Sequence, residues 1–261
     1  MQRQSINFIY DGSFEGLLTC IFVAYEQKLQ ITRIYTEENA QPDFFAEIHE
    51  VITDTGKAER VHKGLESKID SKGFQQLFYT FLSELPGVEM LIFEVAKLAF
   101  AQDTFSIKDY GNPLVLKVAQ TAKMVDREKH RMEAFVRFKL TKDQIYFSLI
   151  SPDFNVLPLI LSHFESRYAD QKWVIYDSGR NFGIFYDLEK AVYINLKDYD
   201  NHNNRSQNKG IFDDSEKEFE NLWQNYFNSV NIQSRKNSRL HVQHVPKRYW
   251  KYLSEKRPLH K

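Results

Sequence analysis

The amino-acid sequence predicts an α+β fold, in which a mixed sheet packs against a helical middle region and a basic C-terminal helical extension follows. Three observations predict it. Apolar runs with strand-like spacing lie at both ends of the first 200 residues, helical spacing dominates residues 57–133, and the polar stretch 197–209 precedes another helical pattern. We therefore expect an α+β core over 1–200, a polar linker over 201–212, and a C-terminal helix with a basic aromatic tail over 213–261.

The composition is that of a chain with a substantial core. Of its 261 residues, 42% are hydrophobic and 15% are aromatic, which is enough to bury a large apolar interior. A single cysteine, Cys20, argues against a disulfide framework and against a cysteine-based metal centre. Because neither a signal peptide nor a membrane-length apolar run is evident, we expect a cytoplasmic protein with no membrane partner. The pair His241 and His244 is weak evidence for a metal, since zinc needs four ligands, or three and a water, and no cysteines accompany it. We expect no metal and no other cofactor, and leave open whether this pair binds one.

The N-terminal elements follow from apolar spacing. A strand is predicted at Ile6–Tyr10, a turn at residues 11–13, and an amphipathic helix at 14–25. Further strands are expected at 31–35 and 46–53. Four helical patterns then follow, around residues 61–69, 74–82, 90–100 and 113–133.

The central stretch carries the densest pattern of alternating and polar residues. A β-hairpin is predicted from 134–138 and 145–150 with its turn at 141–143, followed by a helix over 156–168 and a strand over 173–176. Two more strands are expected at 182–186 and 191–196.

Polar side chains sit at the joints between these central elements. Four of them are candidate acids and bases: His130, Asp153, His163 and Asp177. A histidine beside a carboxylate can have a pKa close to neutral pH, which suits proton transfer. The plainer interpretation of His163 is a hydrogen-bonded core histidine, since its helix is mostly apolar.

Positive charge is concentrated at the C-terminal end. Lysine and arginine equal aspartate and glutamate at 35 each, but residues 231–261 hold nine cations against the single anion Glu255. Rings are interleaved with these cations, a mixture suited to neutralising phosphates and stacking on bases. The candidate nucleic-acid-binding residues are Arg235, Lys236, Arg239, His244, Lys247, Arg248, Tyr249, Trp250 and Lys251. The alternative is a solvated tail that aids solubility.

Five segments together resemble a known bacterial family. They are YDGSFEGLL at 10–18, ERVHKGL at 59–65, HRMEAFVRF at 130–138, PDFNVLPLILSHFESRYADQKWVIYD at 152–177, and NSVNIQSRKNSRLHVQHVPKRYWKYL at 228–253. The chain is similar along nearly its whole length to a family of probable DNA-metabolism or putative DNA-repair proteins, defined by a domain of unknown function. The resemblance implies a setting in DNA repair, beside a radical-SAM protein of DNA repair or modification, with fusions elsewhere to uracil-DNA-glycosylase-like domains.

The family pattern transfers to individual positions but brings no established catalytic set. His62 departs from the pattern, since tryptophan is usual there. The matching residues are Tyr10, Asp11, Gly12, Arg60, Gly64, His130, Arg131, Phe135, Asp153, Pro158, His163, Phe164, Gln171, Trp173, Asp177, Trp223, Asn231, Arg235, Asn237, His244, Pro246, Arg248, Tyr249 and Trp250.

Three functions stay open at the level of sequence. The first is a DNA-binding accessory protein of DNA repair or modification, acting with a radical-SAM protein or a glycosylase-like partner. The second is an enzyme that processes DNA, by base excision or as a nuclease, through the four acid and base candidates. The third is a protein-interaction module whose basic end docks on an acidic partner. The sequence does not decide whether the protein is an enzyme.

Overall fold

A computed structural model describes residues 6–37, 47–195, 242 and 245–256. It divides the chain into two compact units, Met1–Asp126 and Arg127–Lys261. The predicted α+β class is confirmed. The single mixed sheet that the sequence predicts is replaced by two separate sheets, one of N-terminal strands and one of central strands. The predicted linker at 201–212 and the helix after it lie outside the described residues.

The N-terminal unit is built on a three-stranded parallel sheet with the order β2-β1-β3. Its elements are β1 (Ile6–Tyr10), α1 (Phe14–Glu26), β2 (Ile31–Thr36), β3 (Glu47–Glu50), α2 (Thr55–Phe81) and α3 (Val88–Ala101). A further helix, α4 (Pro113–Phe135), contains the boundary between the two units. Each strand and helix predicted in this part of the sequence is present, with ends shifted by a few residues.

The corner between β1 and α1 is fixed by short hydrogen bonds. Asp11 accepts from the Ser13 amide at 2.9 Å and from the Thr53 hydroxyl at 2.8 Å, while Ser13 caps α1 by accepting from the Gly16 amide at 2.9 Å. This arrangement is the plain strand-to-helix corner. Within α2, Asp70 has non-helical φ and ψ angles of 60° and 169°. The resulting kink divides α2 into the two helical segments predicted from the sequence.

The C-terminal unit holds a five-stranded sheet with the order β4-β5-β6-β7-β8. The pair β5 and β6 is parallel and the other pairs are antiparallel. Its elements after α4 are β4 (Lys139–Leu140), β5 (Tyr146–Ile150), α5 (Leu157–Arg167), β6 (Trp173–Asp177), β7 (Phe182–Tyr186) and β8 (Ala191–Ile194), followed by 3₁₀ helices at Lys247–Tyr252 and Ser254–Lys256.

One predicted strand is wrong. Residues 134–138 were expected to form the first arm of a hairpin, but α4 continues to Phe135 and β4 holds only two residues. Backbone hydrogen bonding supports this extension, because the Val136 amide donates to the Met132 carbonyl at 3.1 Å and so continues the helical pattern. The hairpin is therefore much shorter than predicted.

Strand β6 forms the centre of the C-terminal unit, and all five of its residues are buried. Trp173 is fully buried, and its ring stacks on Tyr186 with the centroids 5.4 Å apart. Phe138 and Phe164 pack on the same indole. Because β5 and β6 run in parallel, their carboxyl ends lie at the same edge of the sheet, and the loops that follow them meet there.

Candidate functional site

A cluster of charged residues lies at the carboxyl edge of β5 and β6. It draws on the last turns of α4, the loop after β5, the loop after β6, and the 3₁₀ helix Lys247–Tyr252. We refer to it as the charged cluster; its members are Glu128, Arg131, Asp153, Asp177, Arg180, Arg248 and Tyr249. All seven belong to the C-terminal unit.

Glu128 is the centre of the charged cluster. Its side chain is 1% exposed, and both carboxylate oxygens accept hydrogen bonds. Oε1 accepts from the Tyr249 hydroxyl and, at 3.0 Å, from the amide of Asp153. Oε2 lies 3.3 Å from Arg131 Nη1 and 3.6 Å from Arg248 Nη2. A buried carboxylate is costly unless it is paired and hydrogen-bonded, and here both conditions are met.

A second ion pair holds the loop after β5 in place. Asp177, at the end of β6, is completely buried and accepts from Arg180 Nη1 at 3.0 Å and from the Gly179 amide at 2.8 Å. The same guanidinium donates to the backbone carbonyls of Pro152 and Asp153, each at 3.2 Å. Arg180 thereby joins the ends of the two parallel strands, a use that suits the rigid fork of its donors.

Arg248 contacts both the buried carboxylate of Glu128 and the partly exposed carboxylate of Asp153. Its guanidinium is 44% exposed and forms a close ion pair with the Asp153 carboxylate, which is 45% exposed. Partial burial lowers the pKa of Arg248, but the hydrogen bond with Tyr249 and the charges of Asp153 and Glu128 outweigh that effect and raise it. Arg248 therefore stays charged at every physiological pH.

Tyr249 anchors the 3₁₀ helix. Its side chain is 1% exposed and packs against Phe135 of α4. Burial, followed by the hydrogen bond to Glu128 and the charge of that carboxylate, raises the pKa of the Tyr249 hydroxyl far above its ordinary value. The hydroxyl therefore keeps its proton and donates it to Glu128. This buried ring is not placed to stack on a base, which is the role expected for it from the sequence.

The neighbours of Tyr249 turn towards solvent. Lys247 and Lys251 are exposed, whereas Trp250 and Tyr252 are half-buried. The Trp250 indole donates to the carbonyl of Val245 at 3.0 Å, and the Lys251 amine lies 4.7 Å from the centre of the Tyr252 ring. The 3₁₀ helix therefore exposes its cations and leaves two aromatic side chains half-buried, while Tyr249 is buried.

The structure places the four acid and base candidates differently. Asp153 and Asp177 both belong to the charged cluster and are linked through Arg180. His130 is 64% exposed and lies 3.1 Å from Glu133, and the ring of His163 meets Phe164 edge-on. Of the candidate nucleic-acid-binding residues, Arg235, Lys236, Arg239 and His244 lie outside the described residues.

Sequence reasoning missed Glu128 and Arg180. Glu128 sits in the strongly charged run 126–133, which is typical of a solvated helix face. A signal was nevertheless available, because the buried residues of α4 recur at helical spacing: Val115, Val118, Thr121, Ala122, Val125, Glu128 and Met132. Their spacing of three and four residues places Glu128 on the buried stripe of the helix.

No membrane-spanning helix and no group of three or more potential metal ligands is found among the residues that the structure describes. A family model described as DUF4130, a domain of unknown function, matches residues 86–255, which is more than half of the chain and includes every member of the charged cluster. A search of curated proteins gives no match.

Proposed function

The chain belongs to the family of DUF4130, a domain of unknown function, and from this premise we propose that it is a DNA-binding accessory protein that holds the sugar-phosphate backbone with its C-terminal 3₁₀ helix. The observation that carries the proposal is the bond between Tyr249 and Glu128. It fixes a cationic helix to a folded unit, whereas a segment that serves only solubility needs no buried anchor.

The chemistry of the exposed side supports a polyanionic ligand. Lys247, Arg248 and Lys251 lie within five residues, and each is able to neutralise a phosphate and release a condensed counterion. Trp250 and Tyr252, between and beside these cations, offer partly exposed rings to a base or a sugar. Because DNA phosphates are spaced regularly and carry no sequence information, such a surface favours binding to the DNA backbone over sequence readout.

The setting in repair is a further part of the proposal. The resemblance in the sequence supports a role beside a radical-SAM protein or a glycosylase-like protein that would carry out the chemistry on the DNA. In this arrangement the present chain supplies affinity for the substrate.

The experiment is a salt titration of binding to a fluorescent DNA duplex, measured by anisotropy. The wild-type affinity should fall steeply as salt rises. In the double variant Lys247→Ala with Lys251→Ala, the slope of log affinity against log salt should become shallower by about 0.9 for each phosphate that the variant no longer neutralises.

A charge-matched control separates this effect from a general decrease in positive charge. Lys142 and Lys190 are exposed lysines of the same C-terminal unit, outside the 3₁₀ helix. The double variant Lys142→Ala with Lys190→Ala should keep the wild-type slope. Equal slopes in wild type and both double variants would remove the 3₁₀ helix from DNA binding.

A DNA-processing enzyme is the second candidate, because two predicted acid and base residues, Asp153 and Asp177, lie in one cluster at the carboxyl edge of parallel strands. The test is incubation of the pure protein with uracil-containing or nicked DNA, with and without divalent cations. Product formed by the wild type and absent with Asp153→Ala or with His130→Ala would favour the enzyme, and loss with Asp153→Ala would assign the chemistry to the charged cluster.

A further inference from the structure

The ion pair between Arg248 and Asp153 bears on ligand binding as well as on stability. Arg248 lies on the 3₁₀ helix assigned to DNA, yet its guanidinium is engaged by a carboxylate of its own chain. We propose that Asp153 is an internal substitute for phosphate: it occupies Arg248 in the free protein, and a DNA phosphate displaces it on binding. The inference rests on the proposed function and adds that Asp153 lowers the affinity for DNA by competing with phosphate for Arg248.

The two carboxylates that contact Arg248 differ in a way that makes the exchange feasible. Glu128 is 1% exposed and has other donors in Tyr249, Arg131 and the Asp153 amide. The Asp153 side chain is 45% exposed. A phosphate arriving from solvent can therefore replace Asp153 at the guanidinium while Glu128 stays where it is and keeps its own contact with Arg248.

The guanidinium chemistry suits such an exchange. Arginine binds carboxylate and phosphate oxygens with the same planar fork of donors, so one oxyanion can take the place of the other. A half-exposed ion pair is also weak, because water screens both partners. Asp153 therefore competes with phosphate without excluding it.

The backbone of Asp153 does not depend on this ion pair. Its amide donates to Glu128 at 3.0 Å, and its carbonyl accepts from Arg180 at 3.2 Å. The loop after β5 is thus held at both sides of the residue while the carboxylate swings away. For the same reason, replacing the Asp153 side chain should leave the loop in place.

The test is DNA affinity of Asp153→Asn, which keeps the shape of the side chain and removes its charge. From the typical strength of an exposed ion pair, binding should tighten roughly two- to five-fold. Asp143→Asn is the control, because Asp143 is an exposed aspartate of the same unit, in the turn after β4, and it removes one negative charge away from Arg248. Asp153→Ala is a second variant and should show the same gain.

A double-mutant cycle then assigns the gain to the pair. In the Arg248→Ala background, Asp153→Asn should tighten binding no more than Asp143→Asn does. Asp153→Asn that equals its control in the wild-type background, or that weakens binding, overturns the inference.

The two proposals fail in different ways. If Lys247→Ala with Lys251→Ala flattens the salt dependence but the Asp153 variants bind like their control, competition by Asp153 is refuted and DNA binding stands. If the wild type shows no salt-dependent affinity for DNA, both are refuted.

Discussion

At the scale of single residues, Glu128 shows how one buried charge organises a surface. It accepts hydrogen bonds from Tyr249, from the backbone amide of Asp153 and from Arg131. It also forms an ion pair with Arg248. Tyr249 comes from the 3₁₀ helix and the Asp153 amide from the loop after β5, whereas Arg131 lies one turn further along α4 itself. An unpaired buried carboxylate would cost several kcal/mol of stability, so the hydrogen bonds to Glu128 hold these segments together.

Removing the Tyr249 hydroxyl tests this arrangement. Tyr249→Phe keeps the packing against Phe135 but takes one donor from Glu128, so the free energy of unfolding should fall by about 1.5–3 kcal/mol, the range for hydrogen bonds to charged groups. Urea denaturation measures it. Tyr193→Phe, at a ring that is 58% exposed, should change stability by less than about 0.5 kcal/mol. A Tyr249→Phe protein as stable as the wild type would contradict the anchoring role.

At the scale of elements, the close pairing of β6 and β7 depends on a glycine. Gly183 of β7 pairs with Tyr176 of β6. A Cβ atom at this position would lie 2.7 Å from the carbonyl oxygen of Ile175 and 3.1 Å from the Cα of Tyr176. Both neighbours are backbone atoms of the buried central strand, so they cannot rotate out of the way.

Gly183→Ala should therefore destabilise the protein by about 1–3 kcal/mol, as overpacking in a core does. Thermal unfolding followed by circular dichroism gives the measurement. Gly56→Ala is the matched control, since its Cβ would meet only a carboxylate oxygen of Asp54, at 3.2 Å, in the first turn of α2. A Gly183→Ala protein with the melting temperature of the wild type would show that the two strands separate easily.

The elements that could be predicted are those with a long, unmixed pattern. The strand, turn and helix at residues 6–26 follow from apolar spacing, and the structure adds that Ser13 caps the helix. Residues 134–138 do not, because a five-residue alternation fits the end of an amphipathic helix as well as a strand. The structure continues the helix into this stretch, with the Val136 amide donating to the Met132 carbonyl at 3.1 Å.

The candidate site was less accessible from the sequence. Asp153 and Asp177 could be identified because they follow predicted strands, and the order of elements along the chain is enough to show this. Arg180 was missed because its role is to bind two backbone carbonyls from another loop. Contacts of this kind depend on which strands are neighbours, and strand order could not be predicted.

At the scale of the whole molecule, each of the two units buries a tyrosine hydroxyl. Tyr10 in the N-terminal unit and Tyr249 in the C-terminal unit are both 1% exposed. Burial is the main cause that raises the pKa of each hydroxyl, with Glu89 adding to the effect at Tyr10 and Glu128 at Tyr249. The folded protein therefore retains two protons that the unfolded chain releases near pH 10.

Stability should consequently fall in alkali. It is constant with respect to these groups below pH 10, and above pH 10 it should drop by about 1.4 kcal/mol per pH unit for each tyrosine, because the unfolded state binds one proton fewer. Urea denaturation at pH 8, 10 and 11 measures the slope. Tyr10→Phe and Tyr249→Phe should each make it shallower, and an unchanged slope in both variants would assign the alkaline sensitivity to other groups.

The partners Glu128 and Tyr249 are 121 positions apart in the chain. At translation speeds of roughly 5–20 residues per second, the carboxylate leaves the ribosome on the order of ten seconds before the hydroxyl that completes it. During that interval the nascent C-terminal unit carries a site with an unfilled acceptor. The C-terminal unit is therefore completed only when the 3₁₀ helix has been synthesised, and the surface that we propose for DNA binding forms in the same step.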